Sequence, residues 1–322
     1  MHELVPVSHP ILPVELDEVA AQAAEYIRRG KSPNTWRAYE SDWRHFTRWC
    51  QQHGLTTLPA DETTVICYFT SLLQDGRKIS TVERRQAAIS FLHHLKGEAS
   101  PTHGAGVREL LHGMRRTHGI RPACVDAVLT EDLRRLIEHL PQTRLGLRNR
   151  ALLLLGFAGA LRRSELVGLD VEDIQECEDG LRMLLRKSKT DQQGEGRLIG
   201  IPYGSNILTC PVRAYKDWQQ ESGIKSGAVF RGMDKGGRMI SHRLSGRAVA
   251  EVIQRAAAQA GIDTKRYSGH SLRAGHVTTA ARAGVATHAI MQMTGHRSEK
   301  MVRRYIREGT LFQCNSAASL GL

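Results

Sequence analysis

The 322-residue chain contains no apolar run approaching the roughly 18 residues that a membrane-crossing helix requires. Its first stretch, MHELVPVSHPILPVELDE, lacks the basic segment of a secretory signal. These two absences predict a soluble protein that stays in the cytoplasm. No GxxxxGK followed by Ser or Thr is present, which removes the usual phosphate-cradling loop of ATP- and GTP-driven enzymes. The six cysteines (Cys50, Cys67, Cys124, Cys177, Cys210 and Cys314) lie far apart, with no CxxC pair and no Cys/His spacing that suggests zinc. Reduced, mostly buried thiols are expected, with neither disulfide framework nor metal. Aromatic residues make up only 5% of the chain and apolar residues an average 41%, which points to a soluble, helix-rich protein.

What the chain has in excess is positive charge. Its formal net charge is +12 and its sequence pI about 9.7, which calls for a polyanionic partner, because each phosphate met by Lys or Arg releases condensed counterions. The excess is not a basic tail. Residues 1–25 hold Glu3, Glu15, Asp17, Glu18 and Glu25 and no Lys or Arg, so all 45 basic residues lie on the body of the protein. Individual clusters such as Arg84-Arg85 and Arg115-Arg116 read as solvated surface.

The chain divides into two lengths with different patterns. After a flexible N-terminus over 1–14, SPNTWRAYESDWRHFTRWCQQHG reads as a capped helix from Ser32. In it Trp36, Tyr39, Trp43, Phe46 and Trp49 recur at three- and four-residue steps as a core-facing stripe. Helical patterns over about 61–74, 80–96 and 105–117 complete an all-helical domain at 15–116. The Gly- and Pro-containing stretch 117–128 is the expected linker. The second length, 129–310, should be mainly α with a small β-sheet: helices at about 130–139, 144–158, 207–222, 243–260, 269–283, 286–293 and 297–306. GLRMLLRKSKT and GEGRLIGIP are expected to form a hairpin between them. Residues 311–322 form a small, mostly apolar tail.

Four segments of the second half carry groups suited to phosphoryl transfer. In ALRRSEL, at the end of an apolar helix, Arg162 and Glu165 are three apart and can share a helix face, the carboxylate fixing one edge of a phosphate-gripping guanidinium. Lys187 and Lys189 lie at the expected hairpin turn, where a lysine can reach into a groove as a donor. His270 and Arg273, in GHSLR, are again three apart and can present donors to one anion. Gly295-His296 is followed nine residues later by Tyr305, a weak nucleophile at neutral pH unless cations favour its phenolate or a base takes its proton. Taken singly, each has a bland reading: a helix ion pair, a solvated turn, a half-buried ring.

The ordered set resembles the tyrosine recombinases, or phage integrases. The family's signature is an arginine in an R-x-S-E-L-like box, a lysine on a β-hairpin, H-x-x-R, G-H or G-W, and a tyrosine about nine residues on. The N-terminal half also resembles the family's helical, SAM-like core-binding domain, so the likeness spans roughly residues 15–310.

The resemblance implies a site-specific recombinase that cuts and rejoins double-stranded DNA without cofactor, metal or ATP, in a bacterial, phage or plasmid setting. Tyr305 would form a 3′-phosphotyrosyl link; Arg162 and Arg273 would hold the non-bridging oxygens. His270 and His296 would add hydrogen bonds, with His270 also serving as general base. Glu165 would orient the cluster, and Lys189 (or Lys187, two residues away) would protonate the leaving 5′-hydroxyl. Four protomers would assemble on two DNA sites with inverted half-sites, the tail 311–322 docking on a neighbour. A type IB topoisomerase, which rejoins the same strand as a monomer, and a non-catalytic DNA-binding protein of the same fold are the rival readings.

Overall fold

The computed structural model describes residues 17–119, 126–186, 196–234, 236–299, 302–303, 305–306 and 320. Two compact units emerge, Met1–Ala123 and Cys124–Leu322. Among the described residues the chain is mainly α-helical with a small antiparallel sheet, as the sequence patterns predict, and a second, two-stranded sheet that they do not.

The first unit consists of α1 (Asp17–Arg29), α2 (Pro33–Gln52), α3 (Glu62–Gln74), α4 (Ile79–Leu95) and α5 (Ala105–His118). Helix α2 begins where expected: Ser32 accepts the Thr35 N–H at 3.2 Å and Pro33 occupies the first turn, where its missing N–H costs nothing. The α2 stripe faces the core, with Phe46 and Cys50 fully buried beside Val65, Tyr68, Phe69 and Leu72 of α3. Trp36 and Tyr39 pack on Phe91 of α4, and Trp49 on Tyr68. Helix α1 has no counterpart in the sequence reading, which opens its helices at Ser32. The Arg84-Arg85 cluster is solvated only in part: Arg84 is exposed, as expected, whereas Arg85 is not. Arg84 grips Asp42 with two bonds of 2.8 and 2.9 Å, and Arg85 is buried and donates to the Tyr68 hydroxyl at 2.8 Å. Buried Asp42 requires a cation, and both arginines answer it.

The second unit opens with α6 (Thr130–Glu138) and α7 (Arg144–Ala158), whose Ala151–Leu155 stretch is buried all round. A six-residue helix, α8 (Arg163–Gly168), follows after a reversal. The three-stranded sheet has the order β1 (Ile174–Cys177), β2 (Gly180–Leu185), β3 (Arg197–Pro202). The expected hairpin is the β2–β3 pair, in register from Gly180↔Pro202 to Leu185↔Arg197; β1 extends it by one strand. Then come α9 (Pro211–Ser222), the short pair β4 (Arg231–Met233) and β5 (Met239–Arg243), α10 (Gly246–Gln259), α11 (Ser271–Arg282) and α12 (Thr287–Thr294). Helix α10 starts later than the 243–260 pattern suggests, because Arg243 still belongs to β5. Trp218, Phe230, Ile253, Tyr267 and Leu272 lie in one continuous core with the α7 leucines.

Of the four described cysteines, all free thiols, Cys50 and Cys210 are buried but Cys67 and Cys177 are exposed, a partial correction to the expectation of mostly buried thiols. No helix among the described residues is long and apolar enough to cross a membrane.

Candidate active site

Four elements of the second unit that are remote in sequence bring their side chains into one cluster, the fourth being β3 with Arg197. The first is the α7–α8 reversal. Helix α7 stops at Ala158, Ala160 takes φ 49°, and Arg162 becomes the N-cap of α8. Arg162 and Glu165 are therefore not neighbours on one helix face, as their spacing suggests. Glu165 instead reaches back over the helix start, its Oε2 accepting the Arg162 backbone N–H at 2.9 Å and its Oε1 receiving Arg162 Nη1 at 2.5 Å. The carboxylate is buried, so the guanidinium is held by a fixed partner rather than a solvated one.

The second element is α11. His270 is its N-cap and is exposed, whereas Arg273, one turn in, is buried. Arg273 Nη1 donates to Ala160 O at 2.7 Å, and Nη2 to Thr294 O at 2.7 Å and to His296 Nε2 at 3.0 Å. Three of the five N–H donors of a guanidinium are thereby committed; among the described residues no acceptor meets the other two. Burial pulls this arginine down to about 10, with Arg162 and Arg197 acting the same way and Glu165 and the Tyr305 phenol opposing.

The third element is the turn after α12. Gly295 adopts φ 67°, and His296 lies behind it with one-tenth or less of its surface exposed. Arginine can only donate, so His296 Nε2 must accept, and the ring's proton belongs on Nδ1, 2.8 Å from Thr294 Oγ1. The threonine hydroxyl passes its own hydrogen to Ile290 O at 2.7 Å. Burial, then Arg273, Arg162 and Arg197, pull His296 down to about 4, so the ring is neutral at pH 7. His296 in this state braces Arg273.

Tyr305 is half-buried against Val277, Ala281, Ile290 and Val302, in a segment where Glu299, Val302, Arg303, Tyr305 and Ile306 are helical. Lys187 and Lys189 lie outside the described residues. The β2–β3 register nevertheless fixes their flanks, with Arg186 bound to Asp173 on one side and Arg197 on the other. Arg197 belongs to the cluster although nothing in the sequence motifs marks it. Its Nη1 donates to Gln292 O at 3.2 Å and Met293 O at 2.5 Å, and its Nη2 faces Glu165 Oε2 at 3.9 Å. In the sequence it stands only in the β-compatible run GEGRLIGIP, which is no signal of a site.

The assembled cluster holds three guanidiniums around one buried carboxylate and a neutral imidazole, a cationic hollow suited to the spread negative charge of a phosphoryl-transfer transition state. Comparison with known proteins identifies the family. The phage integrase family profile matches residues 127–310, and the phage integrase N-terminal SAM-like domain matches residues 24–99. An integrase/recombinase XerD homologue of Selenomonas ruminantium is 38% identical over 304 residues, covering 93% of this chain and 89% of the relative. The Cre recombinase of Escherichia phage P1 is 26% identical over 322 residues, covering 92% of each. The fold is shared with the Tn1549 transposon integrase solved in complex with transposon right end DNA, at a TM-score of 0.62 and 14% identity over 92% of this chain and 98% of that one. A profile match over more than half of the residues, joined to a relative of this identity along nearly the whole length, means that the chain belongs to the phage integrase family, the tyrosine recombinases.

Proposed function

We propose that the chain cuts and rejoins duplex DNA at short sites with inverted half-sites through a covalent link to Tyr305. The observation that carries this reading is the convergence of Arg162, Glu165, Arg273 and His296 on one buried cluster whose charge is felt together with the Tyr305 phenol. In the forward step the Tyr305 oxygen attacks the phosphorus and the bond to the 5′-oxygen breaks, leaving a 3′-phosphotyrosyl ester. The phenol proton passes to His270, at the exposed head of α11, and Lys189 supplies a proton to the departing 5′-oxygen. Arg162 and Arg273 neutralise the non-bridging oxygens, Arg273 through the donors that its protein partners leave open. The 5′-hydroxyl of a partner strand reverses the reaction. The ester conserves the bond energy, so the exchange requires no ATP.

Double-stranded DNA as partner is supported by the net charge of +12 and by the DNA complex of the Tn1549 integrase. Exchange of strands between two sites takes four cuts, hence four protomers, working in a cytoplasmic setting on bacterial, phage or plasmid DNA. Residues 15–116 and 129–310 would act as core-binding and catalytic domains joined by the 117–128 linker, with the tail 311–322 available to a neighbouring protomer.

The test is to express wild-type protein and Tyr305→Phe, recover DNA attached covalently to each, and sequence it. A wild-type adduct at a defined site, absent from Tyr305→Phe while that variant still binds the same duplex, is the expected result. An adduct persisting in the variant would refute the nucleophile. Relaxation of any supercoiled plasmid by a monomer, with no strand exchange, would replace this reading with a topoisomerase.

A further inference from the structure

The C-terminal end of α12 is where the cluster is tied together, and its hydrogen bonds are fully accounted for. A helix leaves its last four carbonyls without intrahelical partners. Here Met291 O takes the Gly295 N–H at 2.7 Å, Gln292 O and Met293 O take Arg197 Nη1, and Thr294 O takes Arg273 Nη2. Two arginines from separate elements, β3 and α11, thus cap one helix, and their charge sits against its negative end. The approach is close: a Cβ on Gly295 would lie 2.8 Å from Arg197 Nη1. Arg197 Nη2, buried and without a hydrogen bond among the described residues, faces the buried Glu165, which holds Arg162, as a charge 3.9 Å away, and Arg197 closes the β2–β3 ladder opposite Leu185 at the foot of the segment that carries Lys187 and Lys189.

We infer that Arg197 is a positioning residue of the cleavage site: one guanidinium fixes the Gly295-His296 turn, the Arg162–Glu165 pair and the foot of the lysine-bearing hairpin relative to one another. This rests on the reading of Tyr305 as nucleophile. Lysine cannot replace it, because a single ammonium lacks the planar fork that reaches the α12 carbonyls with one nitrogen and the Glu165 side with the other.

The experiment uses the full chain and a nicked duplex of the sequence recovered from the wild-type adduct. Single-turnover cleavage at saturating DNA is followed for wild type, Arg197→Gln and Arg197→Lys. The rate constant should fall about 100-fold in Arg197→Gln, the scale of a misplacement of roughly 1 Å, with the amplitude retained; Arg197→Lys should recover only part of it. Loss of amplitude with a wild-type rate constant would mean a merely structural role and would overturn the inference, as would a full rate in either variant. If Arg197→Gln fails to fold, Arg197→Lys decides alone, on the same criteria. A second arm needs no DNA. The His296 ring, which faces Arg273, Arg162, Arg197 and Thr294, is titrated by NMR, and its midpoint should rise in Arg197→Gln from the low value set by its surroundings. An unchanged midpoint would count against the inference. Absence of any wild-type adduct would sink the proposed function while leaving the NMR arm to judge the position of Arg197.

Discussion

At the scale of single residues, His296 is a group that usually switches near neutrality but is held in one state. Its buried ring accepts from Arg273 and donates to Thr294, and its protonation is pushed down to about 4. An unfolded histidine titrates near 6.5, so between those values the unfolded chain binds the extra proton and the folded state loses ground. The contribution is complete above pH 6.5 and is lost as pH falls towards 4; from the size of the shift it is of order 3 kcal/mol. Urea unfolding at pH 7, 5.5 and 4.5 should therefore show falling stability, with a shallower fall in His296→Gln. His45, His93 and His276 are lowered too, so the difference between the two proteins, not the wild-type slope, carries the test. Equal slopes would remove His296 from the account. Most of this cluster was legible in the sequence as an ordered set of residue types. What was not legible was direction: nothing in GHR says that the imidazole turns towards an arginine, and nothing in GEGRLIGIP says that its arginine caps a helix nearly a hundred residues later.

At the scale of elements, close backbone approach decides which glycines are replaceable. Gly275 of α11 lies against the extended backbone before α6, where an added Cβ would meet Val128 O at 1.8 Å. Backbone cannot yield as a flexible side chain does, so Gly275→Ala should cost about 3 kcal/mol and displace the helix that carries Arg273. Gly113 of α5 is exposed and a Cβ there meets nothing within 4 Å. Gly113→Ala should stabilise by roughly 1 kcal/mol, since alanine loses less backbone freedom in a helix. Urea midpoints for the two variants check both signs, and a neutral Gly275→Ala would contradict the packing. The same contrast explains which elements could be read in advance. Helix α2 announces itself through its cap and apolar periodicity, α7 through its continuous apolar run, and the β2–β3 pair through its short apolar runs. Helix α1 does not, because Val19, Tyr26 and Ile27 remain exposed and only Ala24 is buried in it. The α7–α8 break was hidden for another reason: Gly159 keeps a right-handed φ of −83°, and the left-handed position falls to Ala160, which sequence preference disfavours. Arg273 bonds the Ala160 carbonyl, so the contact that holds this conformation lies more than a hundred residues away.

At the scale of the whole molecule, the charge has two roles that salt separates. The formal +12 resides on the body of the chain, where arginines such as Arg238, Arg247 and Arg255 are largely exposed, and an exposed charge acts only within a Debye length of about 10 Å at 0.1 M salt. Arg273 and Glu165 are buried, and Arg162 and Arg197 are mostly so, where added salt screens little. Binding and chemistry should therefore respond differently. Fluorescence anisotropy with the recovered site should show the affinity falling roughly a thousand- to a hundred-thousandfold between 50 and 200 mM salt, if 6–10 phosphates are contacted. Tyr305→Phe should give the same slope, because the Tyr305 hydroxyl carries no positive charge and neutralises no phosphate in the bound state. The single-turnover cleavage rate at saturating DNA should change little over the same range. A cleavage rate that tracked salt as steeply as binding does would require guanidiniums lying in solvent when DNA is cut, and would overturn the proposal that the buried cluster is the arrangement that cuts it.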